Sequence, residues 1–196
     1  MRLRVFLICI VLALLTSACS PPMTSSSGDA SKFDNLGIFA RRQSNIFTRR
    51  YSTDSKQADY IFEQIINAIE SDDASALKEL FATSTVSYIG SFEEDIHLLM
   101  DFYEGEMISY KRFGPGTHTI KEGSFQRKEV FASFDVTTNV ADYRFAIRFC
   151  TVDSENSGEI GVYSLYIIKA ASSKLSSAYW GNDVWNEGIN IEEYTN

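Results

Sequence analysis

The clearest periodicity in the chain begins at residue 58. Ala58, Ile61, Phe62, Ile65, Ile66 and Ile69 recur at i, i+3, i+4, i+7, i+8 and i+11, the spacing of an amphipathic helix with one broad buried stripe. Ser71-Asp72-Asp73 interrupts it, and either Asp is placed to cap a short second helix whose apolar face is Leu77, Leu80 and Phe81. Ser91-Phe92-Glu93-Glu94 then reads as a capping box, with Ser91 bonding the N3 amide and Glu94 reaching back. Phe92, Ile96, Leu99 and Tyr103 follow on one face, and Gly105 is placed to end this third helix. Beyond Gly105 the period falls to two. Residues 107–112 and 117–121 read as strands joined by a Phe113-Gly114-Pro115-Gly116 turn, and 129–138, 143–151 and 160–169 as three longer strands. Asn139-Val140-Ala141-Asp142 and residues 153–159 read as hairpin loops. Helices followed by an antiparallel meander predict an α+β fold, with N-terminal helices packed on one face of a curved antiparallel sheet.

The N-terminus carries a different pattern. Arg2 and Arg4 precede an unbroken apolar run of 11 residues, Val5 to Leu15, and then Thr16, Ser17 and Ala18. That is the layout of a secretory signal peptide, and the run is too short to span a bilayer roughly 30 Å thick. Leu15-Thr16-Ser17-Ala18-Cys19 resembles a bacterial lipobox, whose Cys is diacylated and becomes the mature N-terminus. The large aliphatic residue lies one position further from Cys19 than the usual pattern, with Thr16 in its place. The alternative is an ordinary signal peptide cut after Ala18 that leaves Cys19 free. Of the three cysteines, Cys9 lies in the apolar run, so an acylated Cys19 leaves Cys150 with no partner in the chain. Residues 1–18 are thus expected to be a lipoprotein signal peptide and Cys19 the lipid attachment site, which places the protein on the extracytoplasmic face of the cell membrane.

Residues 19–53 are expected to form a tether and N-terminal arm, and residues 54–191 the domain. Residues 20–32 are small, polar and aperiodic, a flexible stretch with a mean reach of roughly 20 Å. The arm mixes Ile46, Phe47 and other apolar residues with Arg41, Arg42, Arg49 and Arg50, and is expected to pack on the domain. From residue 19 onward 16 basic residues face 26 acidic ones, a net −10, and from residue 54 the count is 11 against 24. That excess of acid excludes a nucleic-acid partner, which needs a basic face.

The stretch ADYIFEQIINAIESDDASALKELFA resembles the opening of the nuclear transport factor 2-like superfamily, which includes SnoaL-type enzymes. Several motifs are also similar to an uncharacterised family of Gram-positive lipoprotein domains of unknown function. They are the lipobox, Gly114-Pro115-Gly116, FDVTT at 134–138, VYSLYIIKA at 162–170, and YWG at 179–181 followed by GINI at 188–191. The resemblance spans roughly residues 54–191. It implies a cone in which the apolar sheet face meets the helices and lines a pocket, while the polar face lies outside, where many relatives form homodimers. It carries no assigned activity.

Candidate chemistry is sparse. With a four-residue loop, Thr138 opposes Tyr143 and Asp135 opposes Ala146, with Arg144 and Arg148 as diagonal neighbours of Asp135 on the polar face. Such a group reads either as an anion site or as a solvated charge ladder worth at most ~1 kcal/mol per pair. His118 follows the Gly-Pro-Gly turn and is placed to share a pocket with Tyr110; paired with a carboxylate there, it would suit general-base work. Trp180 and Trp185 offer rings for a sugar or peptide ligand, or close the core. Residues 153–158 begin like a calcium loop, but position 12 is Ser164 and the flanks are strands. No metal or cofactor is expected, and no catalytic residue is assigned. The reading that results is a membrane-anchored lipoprotein with a non-catalytic binding module for a small ligand or an envelope protein. The alternative is a SnoaL-like hydrolase or isomerase with a His–carboxylate pair in the cone.

Overall fold

Thr53 sets where the helical half of the molecule begins. The computed structural model describes residues 46–47, 53–170 and 185–193. Thr53 is extended and its hydroxyl accepts from the Lys56 amide at 3.2 Å, satisfying one of the unpaired N–H groups at the start of helix α1, Asp54–Glu70. The predicted stripe is the buried one. Ala58, Ile61, Phe62, Ile65 and Ile66 are all 0% exposed, and each larger side chain contributes roughly 1.5–3 kcal/mol by leaving water. The Gln57 amide donates to the Phe47 carbonyl at 2.6 Å, and the Phe47 ring is buried against Phe149.

At the break after α1, Asp72 takes the left-handed conformation (φ 53°), and Asp73 caps α2, Ala74–Glu79, by accepting from Ala76 N at 2.9 Å. A helix the apolar spacing did not mark, α3 at Thr83–Tyr88, comes next. Its sequence TSTVSY is mostly β-branched and hydroxyl residues, which carry little helical signal. Helix α4, Phe92–Phe102, starts where expected, but the capping box does not form. Ser91 is near-helical (φ −99°, ψ 13°) and its hydroxyl donates to Asp95 at 3.2 Å; a side chain aims at the first amides only from an extended cap. Gly105, with φ 87°, turns the chain into the sheet.

The sheet has the order β1-β2-β3-β4-β5. Its strands are β1 (Met107–Glu122), β2 (Phe125–Thr138), β3 (Asp142–Asp153), β4 (Gly161–Ala170) and β5 (Gly188–Glu193). The first three pairings are antiparallel, but β5 joins β4 in parallel, so the sheet is mixed rather than antiparallel throughout. A parallel neighbour needs a crossover of about a dozen residues or more, and residues 171–187 supply that length. The edge of β4 is extended by the α2–α3 junction: Val162 N donates to Leu80 O at 2.9 Å and Ala82 N to Val162 O at 2.8 Å. The architecture is α+β, with helices first and a curved, open, mixed sheet after them.

Gly114-Pro115-Gly116 is not a turn between two strands. β1 runs through it as a bulge, with Phe113 opposite Ser133 and Gly116 opposite Phe131. An edge strand accepts a proline at such an interruption because the missing N–H breaks no interior ladder. A Cβ on Gly116 would lie 1.6 Å from the Phe131 ring, which explains the glycine. The extra residue inverts the alternation of β1. Tyr110 and Arg112 share the helix-facing side with Val136 and Phe134, whereas Gly116 and His118 share the outer side with Phe131 and Glu129. Further shifts fall between Lys128 and Glu129 and between Arg148 and Phe149, and each adds local bend and twist.

Aromatic rings fill the space between α1, α4 and the inner sheet face. Phe62 stacks on Phe134 at 4.0 Å and meets Phe145 edge-on at 5.6 Å, while Tyr103 stacks on Tyr143 at 5.0 Å. Phe62, Phe134 and Phe145 are 0% exposed. β5 sends Ile189 and Ile191 to the same core beside α4.

Candidate functional site

The β2–β3 hairpin is closed by one hydroxyl. Thr138 Oγ1 accepts from Val140 N at 3.1 Å and Ala141 N at 2.9 Å, and donates to the Glu104 carbonyl at 2.9 Å. Thr138 is therefore drawn into the loop and Thr137 opposes Asp142. The expected register is displaced by two residues, which leaves every side chain on its expected face. The partners change, however. Asp135 lies directly opposite Arg144 and accepts from its Nε at 2.7 Å and Nη2 at 3.2 Å. Arg148 faces Phe131 instead of Asp135, and its guanidinium lies 3.8 Å from the centroid of the Trp185 ring. The three residues form no single ladder. Arg144 is 6% exposed against 42% for Asp135, and the Phe113 ring lies 5.3 Å from its guanidinium.

Tyr110 and His118 are separated by the sheet. The Tyr110 ring packs on Phe62 at 5.1 Å and Phe134 at 5.8 Å, and its hydroxyl donates to Glu63 at 2.9 Å. Burial, the Glu63 bond and the negative charge of Asp59 push its pKa up to about 12. His118 sits on the outer face, 65% exposed, with Nδ1 3.9 Å from Glu129 Oε2, beyond hydrogen-bond reach. Glu129 accepts instead from Arg127 Nε at 2.7 Å, and Arg127 also bonds Asp153 at 3.1 Å. His118 and Glu129 are therefore neighbours on the outer sheet face, too far apart to hydrogen-bond, and not beneath the sheet. Beside Glu129 the Cys150 thiol is buried and free; burial pushes its pKa up to about 11, so it is a poor nucleophile near neutral pH.

Cys19 and Trp180 lie outside the described residues, as do Arg41, Arg42, Arg49 and Arg50. Trp185 is described, half-buried, and edge-on to Tyr166 at 5.2 Å. The backbone after it is fixed to β4 by two side chains. Tyr166 Oη accepts from Asn186 N and Ser164 Oγ donates to the Asn186 carbonyl, both at 2.7 Å. The outer faces of β3 and β4 are covered within the single chain at Ala146, Tyr166 and Ile168, which are buried. The outer face stays open around Phe131, Asp135 and His118.

Trp185 forms one wall of a groove of about 640 Å³. Ser84, Tyr88 and Ile89 on and after α3 line it as well, together with Asn186, Glu159 and Glu187. Local bonds hold these elements together. Thr83 and Ser84 hydroxyls donate to the Gly158 carbonyl at 3.3 and 3.1 Å, tying α3 to the Ser157–Glu159 turn. Asp153 Oδ1 accepts from Glu155 N and Asn156 N, which organises the loop before it. Gly188 has φ 87°, and a Cβ there would lie 2.4 Å from Ile89 Cδ1, so only glycine lets α3 approach the start of β5 so closely. Tyr88 is 82% exposed at the rim. Sequence reasoning found Trp185 but missed Tyr88, because α3 carried no periodic signal, and missed Glu159 and Glu187, which the chain brings together only through β5.

An α+β domain with an aromatic groove at one sheet edge is the class the geometry defines. Over residues 64–170 the chain matches the family described as Domain of unknown function (DUF5104), and it belongs to that family. The matched stretch runs from within α1 to the end of β4, so Trp185 and Glu187 lie beyond it. No curated protein matches the chain. Among the described residues no group of three or more His, Cys, Asp or Glu is placed to hold a metal ion, and no helix is long and apolar enough to cross a membrane.

Proposed function

We propose that this chain is a membrane-anchored extracytoplasmic lipoprotein whose domain, a nuclear transport factor 2-like cone, is a non-catalytic binding module. The observation that carries the reading is the groove lined by Tyr88 and Trp185, of a size suited to a small ligand or a short protein segment. Two further features support it. The space under the sheet holds stacked rings from Phe62, Phe134 and Phe145, and His118 faces outward, away from Tyr110. A SnoaL-like mechanism would need the two to converge inside. The helix–sheet order supports the cone, and the stretch ending in Cys19 supports the anchor. Contact with an envelope protein, or a homodimer, would use the open β1–β2 half of the outer face.

A thermal-shift screen of the full-length chain against sugars, amines and short peptides tests the module. The expected hit raises Tm in the native chain and loses its effect in the Tyr88→Ala/Trp185→Ala variant. A hit that survives that variant but is lost in Tyr110→Phe would move the site into the cone and end the groove reading. Mass spectrometry of the protein expressed in a bacterial host tests the anchor: two acyl chains on Cys19 are expected, and an unmodified Cys19 would refute it.

A further inference from the structure

The groove carries charge of one sign. Among the described residues that line it, the titratable ones besides Tyr88 are Glu159 and Glu187, and there is no Lys, Arg or His. Two described cations that contact its lining residues are engaged elsewhere. Arg127 lies 3.5 Å from Glu159 but also bonds Glu129 and Asp153. Arg148 stacks on the Trp185 ring at 3.8 Å and is not part of the lining. Glu187 is exposed and forms no ion pair among the described residues. Two carboxylates thus line an opening whose other described residues are the aromatic Tyr88 and Trp185, Ser84, Ile89 and Asn186, in a domain that is itself strongly acidic.

We infer, resting on the groove as the binding site, that its ligand presents an organic cation: a quaternary ammonium or protonated primary amine held between Tyr88, Trp185 and Glu187. Three physical effects converge on that chemistry. Aromatic faces attract a cation through their quadrupole, and more strongly than they attract a neutral group of the same shape. The carboxylates add a field that an anion would have to oppose and that a neutral sugar would gain little from. Arg148 already occupies one face of Trp185, which leaves the other indole face and the exposed Tyr88 ring as π surface for the cation. Ser84 and Asn186 remain as hydrogen-bond partners for the rest of the ligand.

The test uses the full-length chain carrying Trp180→Phe, so that Trp185 is the sole indole reporter. Choline and Nα-acetyl-lysine amide are the cationic probes, one a free small molecule and the other a protein-like side chain. 3,3-Dimethylbutan-1-ol, the neutral isostere of choline, and N-acetylglucosamine are the neutral ones. Saturable change of Trp185 fluorescence by a cationic probe is expected, with about tenfold weaker binding of the neutral isostere. The cation should bind several-fold more weakly in about 0.5 M NaCl, in Glu187→Gln and in Tyr88→Ala; both residues are exposed, so neither change threatens the fold. Preference between the two cationic probes identifies the source of the ammonium group. Equal or tighter binding of the isostere or the sugar would overturn the cation while leaving the groove in place. No response to any of the four probes would overturn the cation too. If the thermal-shift hit also ignores Tyr88→Ala/Trp185→Ala, the groove itself falls.

Discussion

The two faces of the sheet solve the problem of burial with different chemistry. The inner face buries rings against rings: Phe134 and Phe145 are 0% exposed and meet Phe62 at 4.0 and 5.6 Å. The outer face buries charge: Arg144 is 6% exposed, held by Asp135, and Arg148 lies against Trp185. Apolar contact is non-directional and tolerates repacking, whereas a buried guanidinium is stable only with its partner in place. The inner face therefore specifies that the domain folds, and the outer face where Trp185 and the groove come to rest.

The largest expected effect lies on the inner face. Phe134→Ala removes a ring stacked on Phe62 and should lower unfolding free energy by about 3–5 kcal/mol, read from the urea midpoint. A loss below about 1 kcal/mol would mean that the space beneath the sheet collapses easily and is not a filled core. On the outer face Asp135→Ala removes the carboxylate that accepts from Arg144 Nε and Nη2. Asp135 is itself 42% exposed, so water screens part of the loss and about 1–2 kcal/mol is expected. Arg144→Met, which removes the buried charge along with the pair, should cost less than Asp135→Ala, and the reverse order would contradict the desolvation account.

Smaller effects concern the bulge and pH. Gly116→Ala drives a Cβ into the Phe131 ring; because Phe131 is 43% exposed and can swing outward, about 1 kcal/mol is expected. Adding Phe131→Ala should recover most of it, measured as a double-mutant cycle. The Cys150 thiol, ordinarily near 9.0, is pushed up to about 11 by burial, and Tyr163 from 10.0 to about 12 by burial and Glu129. The folded state holds these protons where the unfolded chain releases them. Stability is therefore fully present below about pH 9 and declines as pH rises toward 12. Thermal melts across that range should show Tm falling, and Cys150→Ala should flatten the first part of the decline.

Helix α1 was legible from its stripe because one helix packed on one sheet obeys a single period. The capping residue of α2 was legible down to two aspartates, of which Asp73 does the work. What was not legible depends on contacts between distant residues. Whether Gly114-Pro115-Gly116 turns or bulges is decided by β2 continuing alongside it, and the bulge moves His118 to the face opposite Tyr110. The hairpin register turned on the Thr138 hydroxyl reaching Val140 and Ala141. β5 pairs in parallel only after a long crossover, and its short GINIEE sequence carries too few residues to announce a strand. Of the groove, Trp185 was visible as chemistry, while Tyr88, Glu159 and Glu187 became neighbours only through the fold.

The claim that recognition occurs at the Tyr88–Trp185 groove rather than under the sheet can be read from one nuclear magnetic resonance titration. The full-length chain, labelled at tryptophan and tyrosine, is titrated with choline while the Trp185 indole and the rings of Tyr88 and Tyr110 are followed. Saturable shifts at Trp185 and Tyr88 with Tyr110 unmoved are predicted. Shifts at Tyr110 with Trp185 and Tyr88 unmoved would contradict it.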